Sequence, residues 1–415
     1  MEMTVRRSIF EHSHYDALII GARCAGAATA LLLARQGWRV LLIDRAPYGS
    51  DTLSTHALMR VGVLQLERFG LRERLAELAA PAVRRTVFHY GADARFDPGA
   101  DPNALELMIK PRHGVDALYA PRRTSLDRLL VDAACEAGVE VQHGCGLLAL
   151  QPDWSGRVAG AVIAPEGLPP IAISARWVIG ADGRRSSVAR LLDVPLTRAG
   201  RAATATIYGY YTGLDVGDPM PSYHWLFAPQ VGTGIIPTDD GQSCVFAGAH
   251  PDRVQRAIAA SDAEHALLQL VSETSPEFAA ALGRAQRIEK PRVFMGAPGF
   301  SRKAAGPGWA LVGDAGAFRD PLTAHGISDA LRDAELLARA LLSDSEAALG
   351  DYEQIRDELS ASLVDATERI ASFDWSLAEL PLLHRDLNRA MSAQCDAIAA
   401  AEPLPVERNS RSDAA

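Results

Sequence analysis

The stretch LIIGARCAGAATALLLARQGWRVLLID, residues 18–44, leaves few folds open to this chain. It runs from an apolar strand through a glycine turn and an alanine-rich helix to a second apolar strand and a terminal acid. Tyr15–Ile20 and Arg39–Ile43 read as buried parallel strands, being short apolar runs with little polar alternation. Ala25–Gln36 reads as a helix closed by Gly37. The result is one βαβ unit whose turn has the spacing of a dinucleotide-binding fingerprint, with one substitution. Gly21 and Gly26 occupy the first and third glycine positions, and Arg23 takes the second.

Each glycine of such a turn has its own duty. The first makes the turn, the second admits a pyrophosphate, and the third lets helix and strand pack closely. Arg23 gives up the close approach but brings a guanidinium that can donate two hydrogen bonds to phosphate. The helix N-terminus that follows favours an anion. Asp44 closes the second strand 23 residues after Gly21, where a carboxylate accepts from a ribose hydroxyl.

The 415 residues suffice for two or three domains, with 48% apolar and 22% charged side chains, as in folded globular proteins. Net charge is −9 and basic residues are scattered, which argues against nucleic acid and anionic membranes as partners. Five cysteines without a C-x-x-C pair predict reduced thiols in a cytoplasmic protein and no metal site. No apolar run reaches the roughly 18 residues of a membrane span. Only three lysines occur: Lys110, Lys290 and Lys303.

Along the chain, residues 51–80 read as helical with breaks at Gly62 and Gly70. TSLDRLLVDAACEAG reads as an amphipathic helix capped by Thr124 or Ser125. Residues 200–250 are strand-like, 251–285 helical, and 327–400 almost wholly helical. The expected fold class is α/β. It has a Rossmann-like domain, an inserted, mostly antiparallel β-sheet domain and a C-terminal helical region. The expected division is a leader at 1–14 and a discontinuous nucleotide domain at 15–85, 112–190 and 290–345. A substrate domain follows at 86–111 and 191–289, with C-terminal helices at 346–401 and a disordered tail at 402–415.

Three further segments recur in order: YAPRRTSLDRLL (119–130), VIGADGRRSSVARLL (178–192) and WALVGDAGAFRDPLTAHGISDALRDAELLARAL (309–341). With the first turn, this set resembles the FAD-dependent monooxygenases of the p-hydroxybenzoate hydroxylase type. Geranylgeranyl reductases and flavin-dependent halogenases share that superfamily. The resemblance implies that Gly21, Arg23, Ala25 and Gly26 surround the FAD pyrophosphate, that Asp44 takes the ribose, and that Arg45 and Arg123 flank the cofactor. It assigns the Asp182–Gly183 turn to FAD and NAD(P)H, Gly313 and Asp314 to the ribityl–pyrophosphate stretch, and Pro321, Gly326 and Ile327 to a loop beneath the flavin. Members commonly carry P-x-x-G-x-G-x-N there, whereas this chain has Ala324 and Ser328.

His56 and His325 lie on segments that the resemblance brings near the flavin and are candidate proton donors or substrate guides. SYHWLFAP (222–229) approaches a geranylgeranyl reductase pattern, although three aromatics on a strand commonly fill a sheet face. The halogenase pattern W-x-W-x-I-P is missing. The implied activity is monooxygenation of a small electron-rich organic substrate by O₂ through a flavin C4a-hydroperoxide. FAD is the resident cofactor and NADH or NADPH a transient reductant. The alternative is a flavin-dependent reductase or dehydrogenase. Oligomeric state is not legible.

Overall fold

A computed structural model describes residues 10–12, 14–96, 101–343 and 345–406. The strand His14–Ile20 pairs in parallel with Val40–Asp44 on one side and Ile171–Gly180 on the other. Glu140–His143 and Trp309–Leu311 extend this sheet in the same sense. Successive residues of the central strand enter different cores. Ala17 and Ile19 pack with the helix Cys24–Arg35, while Leu18 and Ile20 pack on the opposite face. Burial on both faces is why this strand shows no polar alternation.

Because these strands are parallel, Ile20, Gly180 and Leu311 all end at one edge. The turns after them are thereby gathered where ligands of open α/β sheets bind.

The second sheet runs Ala205–Thr212, Ser243–Ala249, Val231–Pro237, Ser222–Ala228, all antiparallel. Arg85–Tyr90 then adds in parallel to Ser222–Ala228, with Ala104–Met108 at the edge. Tyr223, Trp225 and Phe227 point to a core shared with Leu322, Leu363 and Phe373. Leu226 and Ala228 point to the other core, beneath helices Pro251–Ala260, Ala263–Thr274 and Pro276–Arg284. The long helices Gly326–Leu342, Glu346–Ala371 and Leu380–Ala400 complete the chain.

Several expectations change. Within 51–80 only Arg60–Arg68 and Arg72–Glu77 are helical. Residues 51–59 form a loop held by Arg122 on Asp51 and by the Tyr208 hydroxyl on the Ser54 N–H. The helix Arg123–Glu136 starts two or three residues earlier than expected, with Arg122 at its N-cap and no side-chain cap. Arg292–Phe294, expected in the nucleotide domain, pairs with Ala205–Thr212 in the second sheet. Leu196–Ala199 joins neither large sheet and pairs with Phe300–Arg302.

Residues 402–406 of the expected tail are docked. Arg68 and Arg339 donate to the Glu402 carbonyl, and Gln36 donates to that of Pro405 at 2.8 Å. In the leader, Phe10 is buried under the first sheet. Leader residues 1–9 and 13 and tail residues 407–415 lie outside the described residues. All five cysteines are free. No helix among the described residues is long and apolar enough to cross a membrane, and no cluster of metal-ligating side chains occurs among them.

Candidate cofactor site

The glycines at the shared strand edge are there for want of space. Gly21 sits at φ +110°, and a Cβ on it would lie 2.7 Å from the Ala181 carbonyl carbon. A Cβ on Gly26 would overlap the Gly21 carbonyl oxygen. Gly313 has φ +60°, and its Cβ would meet that of Ala25 at 2.8 Å. The first, third and fourth sequence motifs therefore touch through positions that tolerate no side chain. Asp44 braces the turn by accepting the Ala22 and Ala46 N–H groups, each at 2.8 Å.

The second motif arrives through Asp127, which the sequence reading missed. Arg23 donates to Asp127 at 2.9 Å and to the Ser50 carbonyl at 3.0 Å. Arg123 grips the same carboxylate from one helical turn away, and the Cys24 thiol donates to it at 3.1 Å. Burial opposes the Arg123 charge, yet Asp127 outweighs it and holds the guanidinium above its ordinary range. The Arg23 charge that the sequence reading assigns to phosphate is thus engaged by Asp127 and the 50–51 loop. An aspartate one turn from an arginine is an ordinary helix pair, so no sequence signal marks it as a hub. Arg45 is exposed beside this region.

Two acids remain incompletely satisfied. Asp182 Oδ2 accepts the Ser187 N–H at 2.6 Å, while Oδ1 is buried without a hydrogen-bond partner. Gly183 beside it has φ +78° and open space around its α-carbon. Asp314 has no hydrogen-bond partner among the described residues. Desolvation pushes its carboxyl up to about 6 against the pull of Arg123.

Beyond Asp314, Pro321–Thr323 forms one 3₁₀ turn and Gly326 opens the following helix, with Ile327 packed in the core. Asp320 anchors this loop by accepting the Leu322 N–H at 3.0 Å and the Thr204 N–H at 2.6 Å. Ala324 adopts φ +56°, the left-handed region that glycine enters without strain and alanine does not. The alanine retains about 1–2 kcal/mol of strain.

Both candidate histidines are buried with Nε2 unpaired. His56 stacks on Tyr210 at 5.6 Å, and its Nδ1 lies 3.0 Å from the Ala120 carbonyl, which makes Nδ1 the donor. Desolvation pulls His56 down to about 3 and His325 down to about 4. Each is neutral at pH 7 and acts there as a hydrogen-bond partner rather than an imidazolium acid. Arg122 lies 3.8 Å over the Tyr210 ring, whose hydroxyl, like that of Tyr223, is buried and unpaired.

Glycine turns without room for side chains, a strand-end acid and unpaired carboxylates at a parallel strand edge fit an FAD pyrophosphate and its ribityl chain. These features define an FAD-dependent oxidoreductase. Residues 14–367 match the family described as an FAD binding domain, and the chain belongs to it. A menaquinone reductase of Mycolicibacterium smegmatis is 28% identical over 351 residues, covering 79% of this chain and 76% of that protein. Aklavinone 12-hydroxylase of Streptomyces purpurascens is 25% identical over 390 residues, covering 85% and 67%. The solved structure of the flavin-dependent brominase Bmp2 superposes with a TM-score of 0.74 at 18% identity, over 92% of this chain and 94% of that one. One fold therefore serves three chemistries, and the site must choose among them.

Proposed function

We propose that this chain is a monooxygenase that uses NADH or NADPH and O₂ to hydroxylate a small electron-rich organic substrate. FAD supplies the redox chemistry when bound. The protein orients the substrate and excludes water. The carrying observation is the aromatic face of the second sheet. Tyr208, Tyr210, Tyr223, Trp225 and Phe246 share one core with Leu322 of the Pro321–Gly326 loop. Unpaired polar tips at Tyr210, Tyr223 and His56 give that face points for orienting a planar molecule. His56 and His325 are proposed as orienting groups, each offering one neutral ring nitrogen.

The three lysines are all exposed, so chemistry needing a buried lysine has no candidate among them. The reductase reading is favoured by the similarity to menaquinone reductase and by the SYHWLFAP strand. Oxygen decides between them. The monooxygenase consumes O₂ and NAD(P)H together and yields an oxygenated product from a panel of phenols, polyketides and isoprenoids. Undiminished product formation under strict anaerobiosis establishes the reductase instead.

A further inference from the structure

The helix-covered face of the second sheet carries a chain of buried polar side chains that the cofactor site does not use. Asp101 Oδ2 lies 2.9 Å from His89 Nδ1, His89 Nε2 lies 3.2 Å from His224 Nδ1, and His224 Nε2 lies 2.9 Å from Asp218 Oδ2. Arg85 closes the chain on Asp218 and donates to Ser222 Oγ at 2.9 Å. Phe96 packs on both imidazoles, with ring centroids 5.3 Å and 4.9 Å away. The two histidine side chains are only 2% and 4% exposed, so water does not complete their bonding.

Counting protons along this chain gives an uneven result. Asp101 Oδ1 accepts the Asn103 N–H at 2.8 Å, and Asp218 Oδ1 accepts the Met220 N–H at 3.0 Å. Asp218 thus accepts through both oxygens whatever the histidines do, and an Asp101 carboxylate has only acceptors to offer His89. Each outer ring nitrogen, His89 Nδ1 and His224 Nε2, must then carry a hydrogen. A neutral imidazole has one N–H. Two neutral rings would set lone pair against lone pair across the inner contact. Three hydrogen bonds require three protons.

We propose that His89 and His224 form a buried proton-binding site, holding one proton between His89 Nε2 and His224 Nδ1 at neutral pH. With it, two carboxylates, Arg85 and the histidine pair sum to zero charge. Without it, a net negative charge is buried, which is costly. Among the described residues, Glu106 on the edge strand also faces the chain, 3.3 Å from Arg85 and exposed. Desolvation taken singly pulls His89 down and raises Asp218, but His224 and Arg85 hold Asp218 below its usual range. The shared proton belongs to the pair rather than to either ring, and carboxylates at both ends favour keeping it.

The bound proton ties the Asp101 and Asp218 loops to strands Arg85–Tyr90 and Ser222–Ala228. Tyr223 and Trp225 flank His224 on the opposite face, so the same proton braces the aromatic surface. A histidine pair raised above the unfolded imidazole value of about 6.5 lends its full stability below that pH. The contribution is lost as pH rises through the folded value.

The direct test is ¹⁵N NMR of the full-length, FAD-loaded protein with labelled histidines, between pH 6 and 9. Protonated His89 Nδ1 and His224 Nε2, with one strongly deshielded proton shared by the facing nitrogens at pH 7, support the site. Two bare facing nitrogens at pH 7 overturn it, and this measurement needs no variant. In Asp101→Asn the shared proton should leave at a pH lower by about one or more. An unchanged titration in that variant also overturns the proposal.

Discussion

The cofactor edge of the first sheet and the histidine face of the second handle buried polarity in opposite ways. At the cofactor edge, Asp182 Oδ1 and the Asp314 carboxyl lack hydrogen-bond partners among the described residues. On the histidine face, Asp101, His89, His224, Asp218 and Arg85 satisfy one another in sequence. An unpaired buried acid is tolerated where a ligand completes it, whereas a network without a ligand must close on itself. Polar groups left open thus separate a binding site from a structural one, although both are desolvated and charged.

Four substitutions break or sharpen that contrast. Gly26→Ala has the largest expected effect. Its Cβ meets the Gly21 carbonyl on one side and the Ala181 Cβ on the other, so the variant should lose soluble folded protein or retain no FAD, with about 3 kcal/mol or more of destabilisation. Normal yield with full flavin absorbance refutes the close-packed turn. Arg85→Ala opens the closed network and leaves Asp218 buried without its cation. Denaturant unfolding should show a loss of about 3–5 kcal/mol with FAD affinity little changed.

Asp314→Asn should do the reverse, weakening FAD about tenfold to a hundredfold as a charged hydrogen bond is lost. Its pH signature is separable. An acid raised from 3.8 to about 6 in the fold lends stability that is complete below 3.8 and disappears as pH rises through 6. The FAD-free Asn variant should therefore melt higher than the parent at pH 8 and show no gain at pH 3.5. Equal melting differences at the two pH values contradict the desolvated, unpaired carboxyl. Ala324→Gly is the smallest change. Relief of left-handed strain exceeds the added chain entropy of glycine, and thermal melting should rise by the equivalent of about 0.5 kcal/mol.

The glycine turns were legible because their causes are local. Gly21, Gly26, Gly183 and Gly313 are required by positive φ or by the absence of space, and such requirements leave glycine in the sequence whatever else varies. The ordered motifs then sufficed for the fold class and for FAD. The partner of Arg23 was not legible. Asp127 is 104 residues away, and helix packing alone decides that the guanidinium meets it. His56 and His325 were visible as residue types, but their neutral state follows from complete desolvation, which only the packed core imposes.

The sequence by itself determined the parallel βαβ edge, the glycine turns and the family, because backbone sterics act over a few neighbouring residues. Tertiary structure alone decided that Arg292–Phe294 joins the second sheet, that residues 402–406 dock on Arg68 and Arg339, and that His89 and His224 face each other across 135 residues of chain. Those contacts depend on which surfaces close together and lose water. No short stretch of sequence encodes that.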